Sequence, residues 1–127
     1  MKHFRNLNVI VALLLSTAPA TADDPTRGKT LFNRCAGCHT VTGQNKVGPH
    51  LDGVFGRTAG KVEGARYSNA MSAWNIVWNE ERLDAFLTAP RKALPGTTMT
   101  VGMPKPQDRS DIIAYLKSVA TPNGTGQ

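Results

Sequence analysis

Five consecutive residues, Cys35-Ala-Gly-Cys-His39, have the types and spacing to hold a metal cofactor, and both cysteines of the chain lie among them. Residues three apart lie on one face of a helical turn, so the two thiols can reach one ligand together. The adjacent imidazole is a good ligand for iron. In an exported chain, C-x-x-C-H is the pattern of covalent haem attachment. We therefore predict that Cys35 and Cys38 form thioethers with the two vinyl groups of a haem, and that His39 binds its iron.

Three other uses of the cysteine pair fit the sequence less well. A structural zinc site needs four ligands, and beyond the two cysteines the segment offers His39 and His50, with no second pair at zinc-finger spacing. A thioredoxin-like redox pair needs a βαβ setting, and no strand-rich pattern surrounds this one. A disulfide that closes so short a loop would stabilise little.

The second axial ligand of the iron decides what the haem can do. A protein side chain in that position suits electron transfer, whereas an open position allows small-molecule binding or peroxide chemistry. The candidates are Met71, Met99, Met103 and His50. Residue type alone does not choose among them.

The N-terminal segment has the features of an export signal. Lys2 and Arg5 precede the apolar run Val9–Leu15, and small residues follow over Ala18–Ala22. A basic start, a short apolar segment and an A-x-A site are typical of a secretory signal peptide. The apolar run is far shorter than the roughly 20 residues that span a bilayer, which disfavours a membrane anchor.

This pattern predicts a signal peptide over residues 1–22 and one domain over residues 23–127, with its core at about 26–120. Cleavage after Ala20 is the alternative to cleavage after Ala22. We expect a periplasmic protein with no membrane anchor once the leader is removed.

The charge of the chain is moderate. Its net charge of +6 comes from 15 Lys+Arg and 9 Asp+Glu, and two of the basic residues lie in the predicted leader, so the mature domain would carry +4. The basic residues are interleaved with acidic ones, which gives no indication of nucleic-acid binding. A mild positive field suits a monomer that docks transiently, by electrostatic attraction, on acidic redox partner proteins.

The rest of the sequence predicts an all-α domain with several helices and long loops. Gly and Pro interrupt residues 40–60 and 91–105, which we expect to be irregular and to wrap the cofactor. Helices are predicted from apolar periodicity and capping residues. They cover residues 24–35 with Pro25 in the first turn, 68–74 with Ser68 as N-cap, 79–88 with Asn79 as N-cap and Pro90 beyond its end, and 106–119.

Six motifs occur along the chain in an order that carries a family resemblance. They are Cys35–Thr40, Gly48-Pro49, Gly56-Arg57-Thr58, Trp78, Pro95-Gly-Thr-Thr-Met99 and Asp111–Lys117. With them, the sequence resembles class I cytochrome c, and in particular the bacterial periplasmic relatives of mitochondrial cytochrome c. The resemblance runs from about Gly28 to Val119.

The resemblance implies a small class I cytochrome c fold wrapped around one covalently bound haem c. Cys35 and Cys38 would hold the haem, His39 would be the proximal ligand and Met99 the distal one. The carbonyl of Pro49 would accept a hydrogen bond from the second ring nitrogen of His39, which fixes the orientation of the imidazole.

Further residues match other positions of the family. Arg57, Tyr67 and Trp78 match residues that hydrogen-bond a haem propionate, and Thr97 matches a hydroxyl near the propionates. Close packing between the first and last helices is implied for Gly28, Phe32, Ile112 and Tyr115.

Two departures from the mitochondrial pattern concern the Met99 side of the haem. Phe86 stands where those proteins carry a Tyr that hydrogen-bonds the methionine sulfur. The segment Thr100–Gly102 is one residue shorter and lacks the aromatic residue beside the exposed haem edge.

The expected function is that of a single-electron carrier rather than an enzyme, moving electrons between respiratory or dehydrogenase partners and a terminal acceptor. Candidates for the positive ring around the haem edge are Lys29, Lys46, Arg91, Lys92 and Lys105. A haem enzyme or gas sensor is the alternative if the iron position facing Met99 is open. A subunit bound permanently to one dehydrogenase would share the chemistry and expose a large apolar patch.

Overall fold

The computed structural model describes residues 21–119, so residues 1–20 of the predicted leader and residues 120–127 lie outside the described residues. The described part is helical, which confirms the predicted all-α class, and one isolated antiparallel bridge pairs Thr58 with Val77. Its helices, in chain order, are α1 (Pro25–Leu31) with a 3-10 turn (Phe32–Arg34), α2 (Asn69–Ala73), α3 (Glu80–Thr88), α4 (Pro90–Ala93) and α5 (Pro106–Ser118). Across residues 21–119, none of these helices is long and apolar enough to cross a membrane.

Side-chain caps explain where the first three helices begin. The Asp24 carboxylate accepts a hydrogen bond from the Arg27 N–H, and Pro25 occupies the first turn of α1. Ser68 Oγ caps α2 through the Met71 N–H at 3.1 Å, and Asn79 Oδ1 caps α3 through the Arg82 N–H at 2.8 Å. These are the short polar residues that satisfy the unpaired N–H groups of a first turn.

The prediction of a loop over residues 91–105 was wrong at its start. Residues Pro90–Ala93 form the short helix α4. Pro90 lacks an N–H and has a fixed φ, so it cannot continue α3 but suits the first turn of the next helix. Pro90 therefore marks a change of direction between two helices rather than the start of a loop.

Helices α1 and α5 cross in close contact, as the resemblance implied. A Cβ built on Gly28 would lie 2.0 Å from the Asp111 carbonyl oxygen, so the crossing requires glycine. The Phe32 and Tyr115 rings meet edge to face, with centroids 5.6 Å apart, and Ile112 is buried beside them.

The same two helices are joined by a group of charges that we call the α1–α5 clamp: Arg27, Asp108 and Asp111. Arg27 Nη2 lies 2.5 Å from Asp108 Oδ1, and Arg27 Nη1 lies 2.6 Å from Asp111 Oδ2. Both carboxylates are buried. The clamp therefore spans the fold from its first helix to its last.

The long segment between the 3-10 turn and α2 folds back on itself through backbone hydrogen bonds. Gly48 N donates to Cys38 O and Leu51 N donates to Thr40 O, each at 2.8 Å. Further on, Gly56 N donates to Trp78 O at 2.8 Å. These bonds bring the cysteine motif, the Gly48-Pro49 pair and the Trp78 segment around one space.

Candidate functional site

One cavity of about 270 Å³ lies between the helices and the folded-back segment. Its walls include every site residue predicted from the sequence: Cys35, Cys38, His39, Pro49, Arg57, Tyr67, Trp78, Thr97 and Met99. Most of the other lining residues are apolar, among them Val54, Leu83 and Phe86. Residues that are up to 64 positions apart in sequence, from Cys35 to Met99, therefore share one largely apolar pocket.

The cysteine motif enters this cavity from the turn that follows the 3-10 turn. Cys35 N donates to Phe32 O, and both Cys38 N and His39 N donate to Cys35 O at 3.0 and 2.9 Å. Both thiols are free. Burial raises the pKa of the Cys35 thiol, and the nearby Arg34 charge offsets part of that effect.

The ring of His39 is fixed on two sides. Its Nδ1 lies 2.6 Å from the Pro49 carbonyl oxygen, which can only accept, so Nδ1 donates and the lone pair remains on Nε2. Burial lowers the pKa of His39 despite the opposing hydrogen bond to Pro49. A Cβ on Gly48 would lie 2.6 Å from the His39 Cε1 atom, so glycine lets the chain pass against the ring. The result is a neutral imidazole with Nε2 available to a metal.

A partly buried guanidinium marks the polar part of the cavity. Arg57 Nη1 is buried and makes no hydrogen bond with the described residues. Burial lowers the pKa of Arg57, with Tyr67 and Asp52 acting in the opposite direction, but an arginine stays protonated in proteins. Because a buried charge needs a partner, this end of the cavity suits the carboxylate of a ligand.

Tyr67 and Thr97 also line the cavity, and each makes a local hydrogen bond. The Tyr67 hydroxyl accepts from Val62 N at 3.2 Å, which leaves its O–H proton available to donate. Thr97 is buried, and its Oγ1 lies 3.4 Å from Met99 N. Trp78 is buried in an aromatic cluster with Trp74 and Phe86, with ring centroids 5.4 to 5.8 Å apart.

Three methionines line the same cavity. Met99 is partly buried, while Met71 and Met103 are buried at 9% and 2% exposure. The fourth candidate ligand, His50, lies outside the cavity lining, and its Nδ1 pairs with Asp52 Oδ1 at 2.9 Å.

Two residues of the site were not identified as such from the sequence. Gly48 was assigned to a motif without a role, although it packs against His39. Arg66 lines the cavity next to Tyr67 and adds its guanidinium to those of Arg34 and Arg57. Its position beside a predicted propionate contact was the signal that could have indicated it.

The cavity fits a haem in its donor set. It offers two free thiols, an imidazole whose Nε2 is free to bind a metal, thioether sulfurs and a guanidinium with one buried nitrogen that lacks a partner. An apolar pocket with these groups defines a c-type haem protein.

Comparison with known proteins gives the family. The family model described as "Cytochrome c" matches residues 25–120, and the chain belongs to the cytochrome c family. A cytochrome c-type cyt cy of Rhodobacter capsulatus is 46% identical over 104 residues, which is 80% of this chain and 52% of that protein. A cytochrome c of Gibberella zeae is 48% identical over 98 residues, covering 74% of this chain and 92% of its own. A cytochrome c2 of Rhodomicrobium vannielii is 40% identical over 119 residues, covering 91% and 95%.

The chain thus spans about half the length of the Rhodobacter capsulatus relative and nine tenths or more of the other two. Members of the cytochrome c family are electron-transfer proteins, not enzymes, and they carry one haem c attached through a cysteine pair. The cysteine pair of this chain is Cys35 and Cys38. This confirms the predicted cofactor and the predicted class of function.

Proposed function

We propose that this protein is a periplasmic single-electron carrier whose haem iron is held between His39 and Met99. The observation that supports it most is a single cavity lined at once by the C-x-x-C-H motif, by a His39 ring whose Nδ1 is taken by Pro49, and by Met99. The carrier exchanges electrons between respiratory or dehydrogenase partners and a terminal acceptor.

When bound, haem supplies an iron that gains or loses one electron. His39 presents Nε2 to the iron, and Pro49 keeps the imidazole neutral and oriented. Met99 supplies a soft thioether sulfur, which favours the reduced metal and raises the reduction potential. The apolar wall of Val54, Leu83 and Phe86 acts in the same direction because it disfavours the extra positive charge of the oxidised state.

Arg57, Tyr67, Trp78 and Thr97 bind the haem propionates in this proposal. The support is chemical: Arg57 has a buried Nη1 without a partner, and Tyr67 has an O–H proton to donate. Trp78 and Thr97 carry donors on the same lining. A propionate near Arg57 would satisfy a charge that is otherwise costly to bury.

Partners dock, in this proposal, where the cavity opens to solvent. Val47 and Val101 line the cavity and are 71% and 48% exposed, so they give its mouth an apolar centre. Basic residues occur in the segments next to this mouth: Lys46 precedes Val47, and Arg91 and Lys92 follow Pro90, which packs against Gly102 next to Val101. A small apolar contact with a charged rim is typical of transient redox encounters between monomers.

The domain organisation is also a proposal: a signal peptide over residues 1–22, then a cytochrome c domain over residues 23–127. It rests on the basic, apolar and small-residue pattern of the leader. The mass of the protein recovered from the periplasm tests it, because cleavage after Ala22 gives a chain that begins at Asp23.

Visible spectra of the purified holoprotein test the ligation. We expect sharp low-spin bands in the ferrous state, a weak far-red sulfur-to-iron band in the ferric state, and no response to carbon monoxide. Met99→Ala should abolish the far-red band, whereas the matched Met71→Ala and Met103→Ala variants should keep it. High-spin spectra or ready carbon monoxide binding in the wild type would instead favour a sensor or peroxidase function.

A further inference from the structure

The loop over residues 95–105, which we call the Met99 loop, connects α4 to α5 and is fixed by hydrogen bonds at both ends. At its start, Thr97 N donates to Leu94 O at 3.1 Å. At its end, Met103 N donates to Leu87 O at 2.6 Å. Met99 lies between these points, so its position depends on how firmly both ends are held.

One arginine of α5 holds the second end. Arg109 Nη1 donates to Met103 O at 3.0 Å and to Pro104 O at 2.9 Å. Its Nε donates to Asp84 Oδ1 on α3 at 2.7 Å. The Arg109 side chain is 10% exposed. A single guanidinium therefore joins α5, α3 and the Met99 loop; it is itself mostly buried, whereas its Asp84 partner is 46% exposed.

The chemistry of these contacts makes them strong ones. A charged donor forms shorter and stronger hydrogen bonds than a neutral one, and the planar guanidinium directs several N–H groups at fixed angles. Removing the donor would leave two carbonyl groups in need of other partners. Because the cavity-facing Met103 is itself only 2% exposed, the loop end has little freedom while Arg109 is in place.

We propose that Arg109 is a positioning residue for Met99: by holding the Met103 and Pro104 carbonyls it keeps the loop closed and limits how often the Met99 sulfur leaves the iron. The inference rests on the proposed His39/Met99 ligation. Arg109 touches neither haem nor iron in this proposal and acts through the loop alone.

Competition by imidazole in the ferric holoprotein measures how often Met99 leaves. An external ligand binds the state in which the sulfur is released, so its apparent dissociation constant falls as that state becomes more populated. We expect Arg109→Gln to bind imidazole at least about tenfold more tightly than the wild type. The far-red sulfur-to-iron band should also disappear at a lower temperature in this variant.

A matched control separates loop positioning from general helix packing. Lys117 of α5 also forms an ion pair with α3, through Glu80, and among the described residues it makes no hydrogen bond or ion pair with the Met99 loop. Lys117→Gln should keep the imidazole affinity within about twofold of the wild type. Asp84→Asn, which leaves both carbonyl contacts of Arg109 in place, should have a smaller effect than Arg109→Gln.

Arg109→Lys keeps the charge but not the planar fork, and it provides the test if Arg109→Gln does not fold around haem. We expect it to bind imidazole more tightly than the wild type and less tightly than Arg109→Gln. Wild-type affinity in both Arg109 variants, or an equal change in Lys117→Gln, would overturn the proposal. If the wild type itself lacks the far-red band, the His39/Met99 ligation is wrong and both proposals fail, whereas an intact band with unaffected Arg109 variants removes this inference alone.

Discussion

Gly48 and Pro49 act on opposite sides of one imidazole. The Pro49 carbonyl takes the Nδ1 proton of His39, and Gly48 leaves room for the ring beside the backbone. The hydrogen bond fixes the tautomer of His39, and the absence of a Cβ at Gly48 leaves space for the ring in this position. The pair therefore determines where Nε2 of His39 lies, and a rigid iron ligand requires such a fixed nitrogen position.

Gly48→Ala should displace the His39 ring, because the new Cβ would lie 2.6 Å from its Cε1 atom. Overpacking of this kind costs roughly 1–3 kcal/mol, and here the displaced group is the predicted ligand. We expect a lower free energy of unfolding and a mixed-spin ferric spectrum. Gly37→Ala, in the same segment, is the control, because nothing lies within 4 Å of its Cβ position. Equal spectra and stabilities for the two variants would show that Gly48 does not constrain the ring.

Arg57→Gln should lower the reduction potential. The variant removes a positive charge from the cavity wall, and a positive charge there stabilises the reduced state relative to the oxidised one. One charge acting through a partly shielded interior is expected to shift the potential by roughly 20–60 mV. Redox titration measures the shift, with Arg82→Gln, an exposed arginine bonded to Val77 O, as the control. A potential unchanged in Arg57→Gln but shifted in the control would contradict the assigned role.

At the scale of elements, local signals predicted most helices, and long-range contacts explain what the sequence did not reveal. Caps such as Ser68 and Asn79 act within three residues, so the starts of α2 and α3 could be predicted. Helix α4 was missed because a four-residue helix is too short for an apolar periodicity. The α1–α5 clamp was missed because its charges lie more than 80 positions apart in the sequence.

The α1–α5 clamp should make stability fall in acid. Hydrogen bonding to Arg27 lowers the pKa of Asp108. For Asp111, burial acts to raise the pKa, but hydrogen bonds from Arg27, the Asp24 N–H and Gln107 outweigh it and lower it. Both pKa values are thus below those of the unfolded chain, near 4. The stabilisation is therefore fully present above pH 4 to 5 and is lost as the pH falls through the folded-state values.

Arg27→Gln should remove this dependence. We expect a lower urea midpoint than the wild type at pH 7, and a difference between the two that shrinks as the pH falls to about 3. Lys117→Gln, which removes an exposed ion pair with Glu80, should differ little from the wild type at either pH, because exposed ion pairs contribute little to stability. A wild-type advantage over Arg27→Gln that stays constant from pH 7 to pH 3 would mean that the carboxylates of the clamp do not carry the pH dependence.

At the scale of the whole molecule, the sequence predicted the residues of the site better than their arrangement. The nine predicted residues line one cavity because loops, rather than regular elements, carry most of them around it. Arg66 could not be predicted for the same reason, because a loop has no periodicity that indicates which of its side chains face inward. Helix α2 brings Met71, and the Met99 loop brings Met103, to the cavity beside Met99. Residue type could therefore not choose the ligand, and only the family resemblance did.

The positive charges near the cavity mouth should govern how fast partners arrive. Helix α4, which carries the exposed Lys92, packs beside Gly102 of the loop that lines the mouth. Steering by such charges raises association rates at low salt and is screened as the ionic strength rises. We expect Lys92→Gln to lower the second-order rate of electron transfer to an acidic partner by roughly twofold or more at low salt, and to flatten its salt dependence.

Lys117→Gln changes the net charge equally, but its charge is already paired with Glu80. It should follow the wild type more closely. Equal salt slopes for the wild type and Lys92→Gln would mean that this charge does not steer partners, whereas equal changes in Lys92→Gln and Lys117→Gln would mean that net charge, rather than this face of the molecule, sets the rate.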